Sequence, residues 1–176
     1  MSALLELLNE VRLSARVEWL TPAQREAHDT LVARARTCSP AVLVGPPGSG
    51  KTLIGWLVQR RLGLGHAAHP MQLPPAEGSP RGIVIDNADL ANVGARALLG
   101  QAELKGWTTV VILARAINPQ GLPTLHLAAP SEAEIAGCLA NLPVPLRSDV
   151  VIGERDLWQA VRRRLAELTL EEHHER

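Results

Sequence analysis

A glycine-rich loop joins an apolar run to a helix-like segment, and it constrains the fold of this chain more than any other feature. The sequence AVLVGPPGSGKT occupies residues 41–52. The run AVLV is typical of a buried strand, and the residues from Gly50 to Leu62 place apolar side chains at the spacing of one helix face. Glycines between such elements let backbone N–H groups converge without interference from a Cβ atom. We therefore expect a strand, a tight loop and a helix, a unit typical of parallel α/β sheets.

The same loop fits the pattern GxxxxGK[ST], which binds the phosphates of a nucleoside triphosphate. Its backbone amides and the N-terminal dipole of the following helix attract phosphate oxygens. Lys51 is predicted to reach the β- and γ-phosphates, and Thr52 to ligate Mg²⁺. The predicted ATP-binding residues of this segment are Gly45, Pro46, Pro47, Gly48, Ser49, Gly50, Lys51, Thr52 and Leu53. The alternative interpretation is a surface turn that happens to precede a helix.

A second apolar run ends in a carboxylate, in the sequence GIVIDNAD at residues 82–89. Asp86 is predicted to hold Mg²⁺ through water, opposite Thr52. Taken alone, the pattern equally fits a strand whose Asp86 only caps the next helix, but the phosphate loop favours the metal site. Asn87 can hold a water molecule but cannot accept its proton, so hydrolysis is expected to be slow unless Asp89 or a group from another chain compensates. The candidate catalytic residues are Lys51, Asp86, Asn87 and Asp89.

The rest of the chain alternates helix and strand signals, which predicts an α/β fold with a parallel sheet covered on both faces. Thr21, Pro22 and Gln24 predict a capped helix that runs to about Arg36. Further helices are predicted at about 2–13, 90–105 and 154–168, and another begins at a capping box of Ser131 and Glu134. Further strands are predicted at TTVVILA (108–114) and TLHLAA (124–129). The segment from 63 to 81 is linker-like, with at most one short strand near MQL (71–73).

Together these residues resemble the AAA+ branch of P-loop ATPases, whose usual Walker A wording is close to GPPGSGKT. VIDNAD resembles the Walker B variants of the bacterial replication initiator DnaA and its small regulatory relatives. By the same resemblance, LARAINPQ falls at the sensor 1 position, and GERDLWQAV is similar to the opening of the sensor 2 helix, which would make Arg155 the arginine that touches the γ-phosphate. The resemblance implies a P-loop NTPase core with a three-layer α/β/α parallel sheet and a reduced C-terminal helical lid.

We accordingly predict four regions: an N-terminal helix (1–20), the P-loop core (21–130), a small helical lid (131–170) and a disordered tail (171–176). The chain departs from the family pattern where hydrolysing members generally carry a carboxylate after the Walker B aspartate, since Asn87 stands there. The sensor 1 candidates Arg115 and Asn118 are not well placed. About ten residues separate that point from the last core strand, so the helix-containing segment that carries the family's arginine finger is predicted to be absent.

Charge and cysteine content limit which partners we expect for the chain. The formal net charge is zero, so no global attraction to nucleic acid or membrane is expected, and DNA contact would be indirect. Cys38 and Cys138 lack metal-ligand spacing, and no long apolar run suggests a membrane span. We therefore expect a cytoplasmic protein with ATP and Mg²⁺ as cofactors and with other protein subunits, identical or different, as partners.

Two functions follow from these features. The first is an ATPase, weak or partner-dependent, whose nucleotide state controls assembly in a bacterial DNA-related process such as replication control, transposition or phage defence. The second is a non-hydrolysing accessory module of a larger complex, as in the BREX defence type, whose protein BrxF shares the features LVGPPGSGKT and a DN Walker B. A small-molecule kinase fits the size and the loop, but no arginine-rich acceptor-binding segment is evident.

Overall fold

The structure is a computed structural model that describes residues 15–78 and 81–131, with Leu13, Ala133, Glu134 and Gly137 individually. Within these residues the helices are α1 (Pro22–Arg36), α2 (Lys51–Leu62) and α3 (Ala95–Leu104), and short 3-10 turns lie at Val17–Trp19, Pro70–Gln72 and Ala88–Ala91. The strands are β1 (Ala41–Val44), β2 (Gly65–Ala67), β3 (Gly82–Ile85), β4 (Thr109–Ala114) and β5 (Thr124–His126).

The five strands form one parallel sheet in the order β2-β3-β4-β1-β5. The central strands are continuous apolar runs, and every residue of β1, β3 and β4 is buried. Parallel strands that are covered on both faces are apolar throughout instead of alternating with polar residues. The predicted α/β class and parallel sheet are therefore confirmed.

Alternate residues of each strand pack into two separate cores, one on each face of the sheet. Leu43 and Val111 join the core that contains the buried sides of α1 and α2. Val42 and Ile112 join the other core, with the buried side of α3. Since successive strand side chains point to opposite faces, this division establishes the three-layer α/β/α arrangement.

The connections between the strands explain why the helices divide in this way. The chain leaves β1 through α2 and moves along the sheet to β2, whereas it leaves β3 through α3 and moves in the opposite direction to β4. Because parallel crossovers are almost always right-handed, opposite directions place α2 and α3 on opposite faces. The neighbouring strands β1 and β4 also lead in opposite directions, and ligands of open α/β sheets bind at the carboxyl ends of strands at such a switch point.

Two predicted elements need correction. The short strand expected near 71–73 is wrong: the strand lies at Gly65–Ala67, parallel to Ile83–Ile85, while Pro70–Gln72 forms a 3-10 turn whose Met71 N–H bonds His69 Nδ1. The helix expected from 90 to 105 begins only at Ala95. Asn92 ends the preceding 3-10 turn in the left-handed region, with φ of +54°, which a helix cannot continue through.

The other expectations about the ends of the core fall partly within the described residues. Ala15, Trp19 and Leu20 are buried in the core that contains α1. The predicted capping box is formed, because Ser131 N–H donates to Glu134 Oε2 and Glu134 N–H donates to Ser131 Oγ. The helix at 2–13 is outside the described residues except for Leu13, and the lid beyond Gly137, the helix at 154–168 and the tail are outside them as well. Among the described helices, none has the length and apolarity to cross a membrane.

Candidate functional site

The glycine-rich loop makes a sharp turn between β1 and α2. Gly48 and Gly50 have φ of +79° and +88°, a region that residues with a Cβ atom rarely adopt. Ser49 lies between them and is fully buried, and its N–H donates to Pro46 O at 3.2 Å. Ile54 N–H is the first in α2 to bond a carbonyl four residues back, that of Gly50. The amides of the preceding turn are those that an α-helix leaves for other partners.

The Lys51 side chain folds back onto the loop that precedes it and bonds three of its oxygen atoms. Its Nζ donates to Gly45 O at 2.7 Å, to Pro46 O at 2.8 Å and to Ser49 Oγ at 3.3 Å. These contacts hold a positive charge on the side of the loop where the backbone of α2 begins. Because the ammonium has three donors on a flexible stem, it can exchange a carbonyl for a phosphate oxygen with a small movement.

Thr52 and Asp86 meet at the carboxyl ends of the strands. Thr52 Oγ1 donates to Asp86 Oδ2 at 2.8 Å, and the other carboxylate oxygen accepts the N–H of Asn87 at 2.8 Å. Asp86 is 4% exposed. A hydroxyl beside a buried carboxylate is a pair of hard oxygen donors, of the kind that Mg²⁺ binds together with phosphate oxygens and water.

In the sheet β4 lies between β1 and β3, so one strand separates the loop after β1 from Asp86 after β3. The crossing of α2 over the sheet brings Thr52 and Asp86 together across this gap. Gly55 makes the crossing close: a Cβ atom there would stand 2.5 Å from Leu113 Cδ1 on β4 and 3.2 Å from Val84 Cγ1 on β3. The helix therefore lies directly on the strands that separate the loop from Asp86. Its first turn carries Thr52 across that gap.

Asn87 and Asp89 are both tied to neighbouring strand ends. Asn87 is in the left-handed region with φ of +51°, and its Nδ2 donates to Ala68 O at 3.0 Å, just after β2. Asp89 Oδ1 accepts the backbone N–H of Arg115 at 2.9 Å, just after β4. The side-chain nitrogen of Asn87 is thus engaged by the chain after β2, whereas Asp89 is half-buried beside the end of β4.

These residues border one cleft of about 200 Å³. This volume is below the 300–1,000 Å³ usual for small-molecule pockets, so it fits part of a nucleotide, such as its phosphate chain. Of the predicted residues, the cleft is lined by Pro47, Gly48, Gly50, Lys51, Thr52, Leu53, Asp86, Asn87 and Asp89. The other loop residues do not line the cleft but accept hydrogen bonds from Lys51 Nζ; they are Gly45, Pro46 and Ser49.

The predictions for residues outside the phosphate loop and the Asp86 segment have different outcomes. Arg115 lines the cleft, but Asn118 does not: its carbonyl accepts the N–H of Ala95 at the start of α3, and its Oδ1 accepts that of Gln120. Residues 115–123, which join β4 to β5, contain no helix. Arg155 lies outside the described residues.

The sequence interpretation missed four residues that line the cleft: Leu113 and Ala114 at the end of β4, and Gln24 and Trp56 on the helices. Gln24 was recognised only as part of a capping box, and that box is formed. Nothing in its local sequence indicates that its side chain also reaches the phosphate loop. Trp56 had a detectable signal, because it lies four residues after Thr52 and so shares its face of α2.

The donor set fits a magnesium ion shared with phosphate better than a metal held by protein alone. No group of three or more His, Cys, Asp or Glu side chains with metal-binding geometry occurs within the part of the chain that the structure describes. Mg²⁺ in phosphate-binding enzymes uses one or two protein oxygens, with substrate phosphates and waters completing the shell. Thr52 and Asp86 supply that number.

Comparison with protein-family models gives no match, and comparison with curated proteins gives none. Among solved structures, 42 chains are similar. One of them is C. elegans PCH-2, which is 14% identical with a TM-score of 0.42, and the match covers 66% of this chain and 45% of that chain. This likeness is too weak to carry an argument. The all-parallel sheet, the loop after β1 and the crossing of α2 by themselves define a P-loop NTPase-like fold.

Proposed function

We propose that this chain binds ATP with Mg²⁺ in the cleft and acts as a nucleotide-controlled module. The hydrogen bond from Thr52 Oγ1 to Asp86 Oδ2, at 2.8 Å, carries the proposal. It places a hydroxyl and a carboxylate beside a loop whose two left-handed glycines and single ammonium suit a phosphate chain. Thr52 and Asp86 would hold the ion, which lowers the charge repulsion of the phosphates. Lys51 would bind the β- and γ-phosphates.

We further propose that the chain alone hydrolyses ATP slowly. Asn87 cannot accept a proton from water, and its Nδ2 is committed to Ala68 O. Asp89 is the other carboxylate among the residues that line the cleft, and its Oδ1 accepts the N–H of Arg115. With no helix between β4 and β5, the segment that would carry a finger to a neighbour is missing. Faster turnover would require a group from a partner.

The assembly and its setting are the broadest part of the proposal. The nucleotide state would control association with other protein subunits, in a bacterial DNA-related process such as replication control, transposition or phage defence. The support is the wording of the two Walker motifs. The accessory-module alternative is favoured by the same Asn87 contact, and the two differ in whether phosphate is ever released.

A binding experiment with charge-matched variants tests the proposal. The chain has only two lysines, Lys51 and Lys105, and Lys105 Nζ donates to Leu73 O away from the cleft. We expect Lys51→Ala to weaken binding of MgATP at least roughly 100-fold, since it removes the charge that contacts the phosphates. Lys105→Ala, which changes net charge equally, should bind as the wild type does. Calorimetry that detects no ATP binding by the wild type, or equal binding by Lys51→Ala, would refute the proposal.

A further inference from the structure

We propose that Gln24 is a positioning residue for the phosphate loop: it holds the Ser49 carbonyl and thereby directs the Gly50 N–H toward the ligand. This inference rests on the proposed function of the same cleft. Gln24 belongs to α1, on the other side of β1 in the sequence, and it is 3% exposed. Its role goes beyond the helix cap that its sequence context explains.

Both ends of the Gln24 amide are used. Oε1 accepts the N–H of Thr21 at 3.0 Å, which completes the capping box of α1. Nε2 donates to Ser49 O at 3.0 Å, across 25 positions of the chain. The planar Gln24 amide therefore holds the first turn of α1 and the Ser49 carbonyl of the phosphate loop at the same time. A cap alone requires only the first of these bonds.

The bond to Ser49 O determines the direction of a backbone donor. In a planar trans peptide the carbonyl and the N–H that follows it point in opposite directions. Holding Ser49 O against Gln24 therefore turns Gly50 N–H away from Gln24. If the peptide between Ser49 and Gly50 turned over, the Ser49 carbonyl oxygen would take the place of the Gly50 N–H and would repel a phosphate.

Gly50 makes such a rotation feasible, which is why it needs a restraint. Its φ of +88° and ψ of +10° match the third residue of a type II turn, which differs from type I in the orientation of the central peptide. A glycine tolerates both forms. Gly50 also packs on the restraint, because a Cβ atom there would lie 2.4 Å from Gln24 Nε2.

Two variants separate positioning of the loop from capping of the helix. Gln24→Glu keeps an acceptor for Thr21 N–H, since Glu is as good as Gln in a capping box, but it places an oxygen against Ser49 O. Thr21→Ala has the reverse effect: it removes the hydroxyl that accepts the Gln24 N–H and leaves the Gln24 side chain able to hold Ser49 O.

The experiment measures affinity for MgATP and for inorganic tripolyphosphate by calorimetry, and melting temperature for each variant. We expect Gln24→Glu to bind both ligands roughly tenfold more weakly, the effect of one misdirected hydrogen bond to a charged group. Thr21→Ala should melt at a lower temperature and bind as the wild type does. The ¹H–¹⁵N signal of Gly50 should shift with tripolyphosphate in the wild type and in Thr21→Ala, and much less in Gln24→Glu.

Each result has a distinct meaning. Equal affinity of Gln24→Glu and the wild type would overturn the inference, and the proposed function would survive if Lys51→Ala still lost binding. Equal weakening by Gln24→Glu and Thr21→Ala would also overturn it, because helix capping would then account for the effect. No binding by the wild type would overturn the inference and the proposed function together.

Discussion

Thr52 and Asp86 are 34 positions apart in the chain, yet the Thr52 hydroxyl donates to Asp86 Oδ2 at 2.8 Å. The close crossing of α2 at Gly55 brings them together. The proposed metal site depends on the helix and the strand end keeping their separation.

The magnesium dependence of ATP binding should disappear when either member of the pair is changed. Thr52→Val keeps the shape of the side chain and removes the hydroxyl, and Asp86→Asn keeps the shape and removes the charge. We expect Mg²⁺ to strengthen ATP binding by roughly tenfold or more in the wild type and by less than about twofold in the variants, because the ion loses a hard oxygen ligand. Titrations with Mg²⁺ and with a chelator measure this, and an unchanged magnesium effect in both variants would contradict it.

Release of phosphate should depend on Asp89 more than on Asn87. Asp89→Asn keeps an acceptor for Arg115 N–H but removes the only base proposed here, so we expect turnover to fall by roughly 100-fold, the usual contribution of a general base, with ATP affinity unchanged. Asn87→Ala should reduce turnover much less, since the Asn87 Nδ2 bonds Ala68 O. Single-turnover assays with labelled ATP provide the measurement. Equal losses in the two variants would show that Asn87 positions the water.

The close approach of α2 to the sheet can be tested with two glycine substitutions of opposite expected sign. At Gly55 a Cβ atom would meet buried Leu113 at 2.5 Å, whereas at Gly100 in α3 none of the described atoms lies within 4 Å. Gly100→Ala should raise the free energy of unfolding by about 0.5–1 kcal/mol through helix propensity. Gly55→Ala should lower it by about 1–2 kcal/mol through overpacking. Chemical denaturation measures both, and stabilisation by Gly55→Ala would show that Leu113 moves aside easily.

The capping box at Ser131 should be visible as a perturbed titration. Hydrogen bonds from the Ser131 backbone and hydroxyl lower the pKa of Glu134 below its ordinary value. A group whose pKa is lower in the folded state stabilises the fold above its unfolded pKa and loses that contribution as pH falls through the folded pKa. We therefore expect carbon NMR to show that the pKa of the Glu134 carboxyl lies below its ordinary range. Ser131→Ala removes the hydroxyl bond but keeps the backbone N–H, so it should return the pKa of Glu134 part of the way toward the ordinary value, and identical titrations in both proteins would refute the hydroxyl contact.

The elements that the sequence predicted well are those whose stability is local or purely hydrophobic. The runs AVLV, GIVI and, after Thr109, VVILA are apolar, as expected for strands buried on both faces of a parallel sheet, and the Thr21 capping box is formed within four residues. Strand β2 was missed because Gly65–Ala67 has no strand signal of its own; its pairing with Ile83–Ile85 defines it. The start of α3 was missed because the left-handed turn at Asn92 depends on tertiary context.

The candidate site shows the same division. The pattern of the loop and Asp86 predicted most of the residues that line the cleft, since a phosphate-binding motif requires them at fixed spacing. The contact from Gln24 to Ser49 could not be predicted, because 25 positions separate the two residues and α1 must first dock beside the loop. Likewise, only the fold shows that Asn87 Nδ2 bonds Ala68 O, just after β2.

The two outer strands of the described sheet, β2 and β5, are each three residues long. Short edges offer few unpaired backbone groups, and natural proteins use them to prevent sheets of separate molecules from joining. Edges this short therefore disfavour a partner that binds by adding a strand to this sheet. In the proposed assembly, subunits would instead recognise side chains on the loops and helices, so their contacts could be altered one residue at a time without disturbing the sheet.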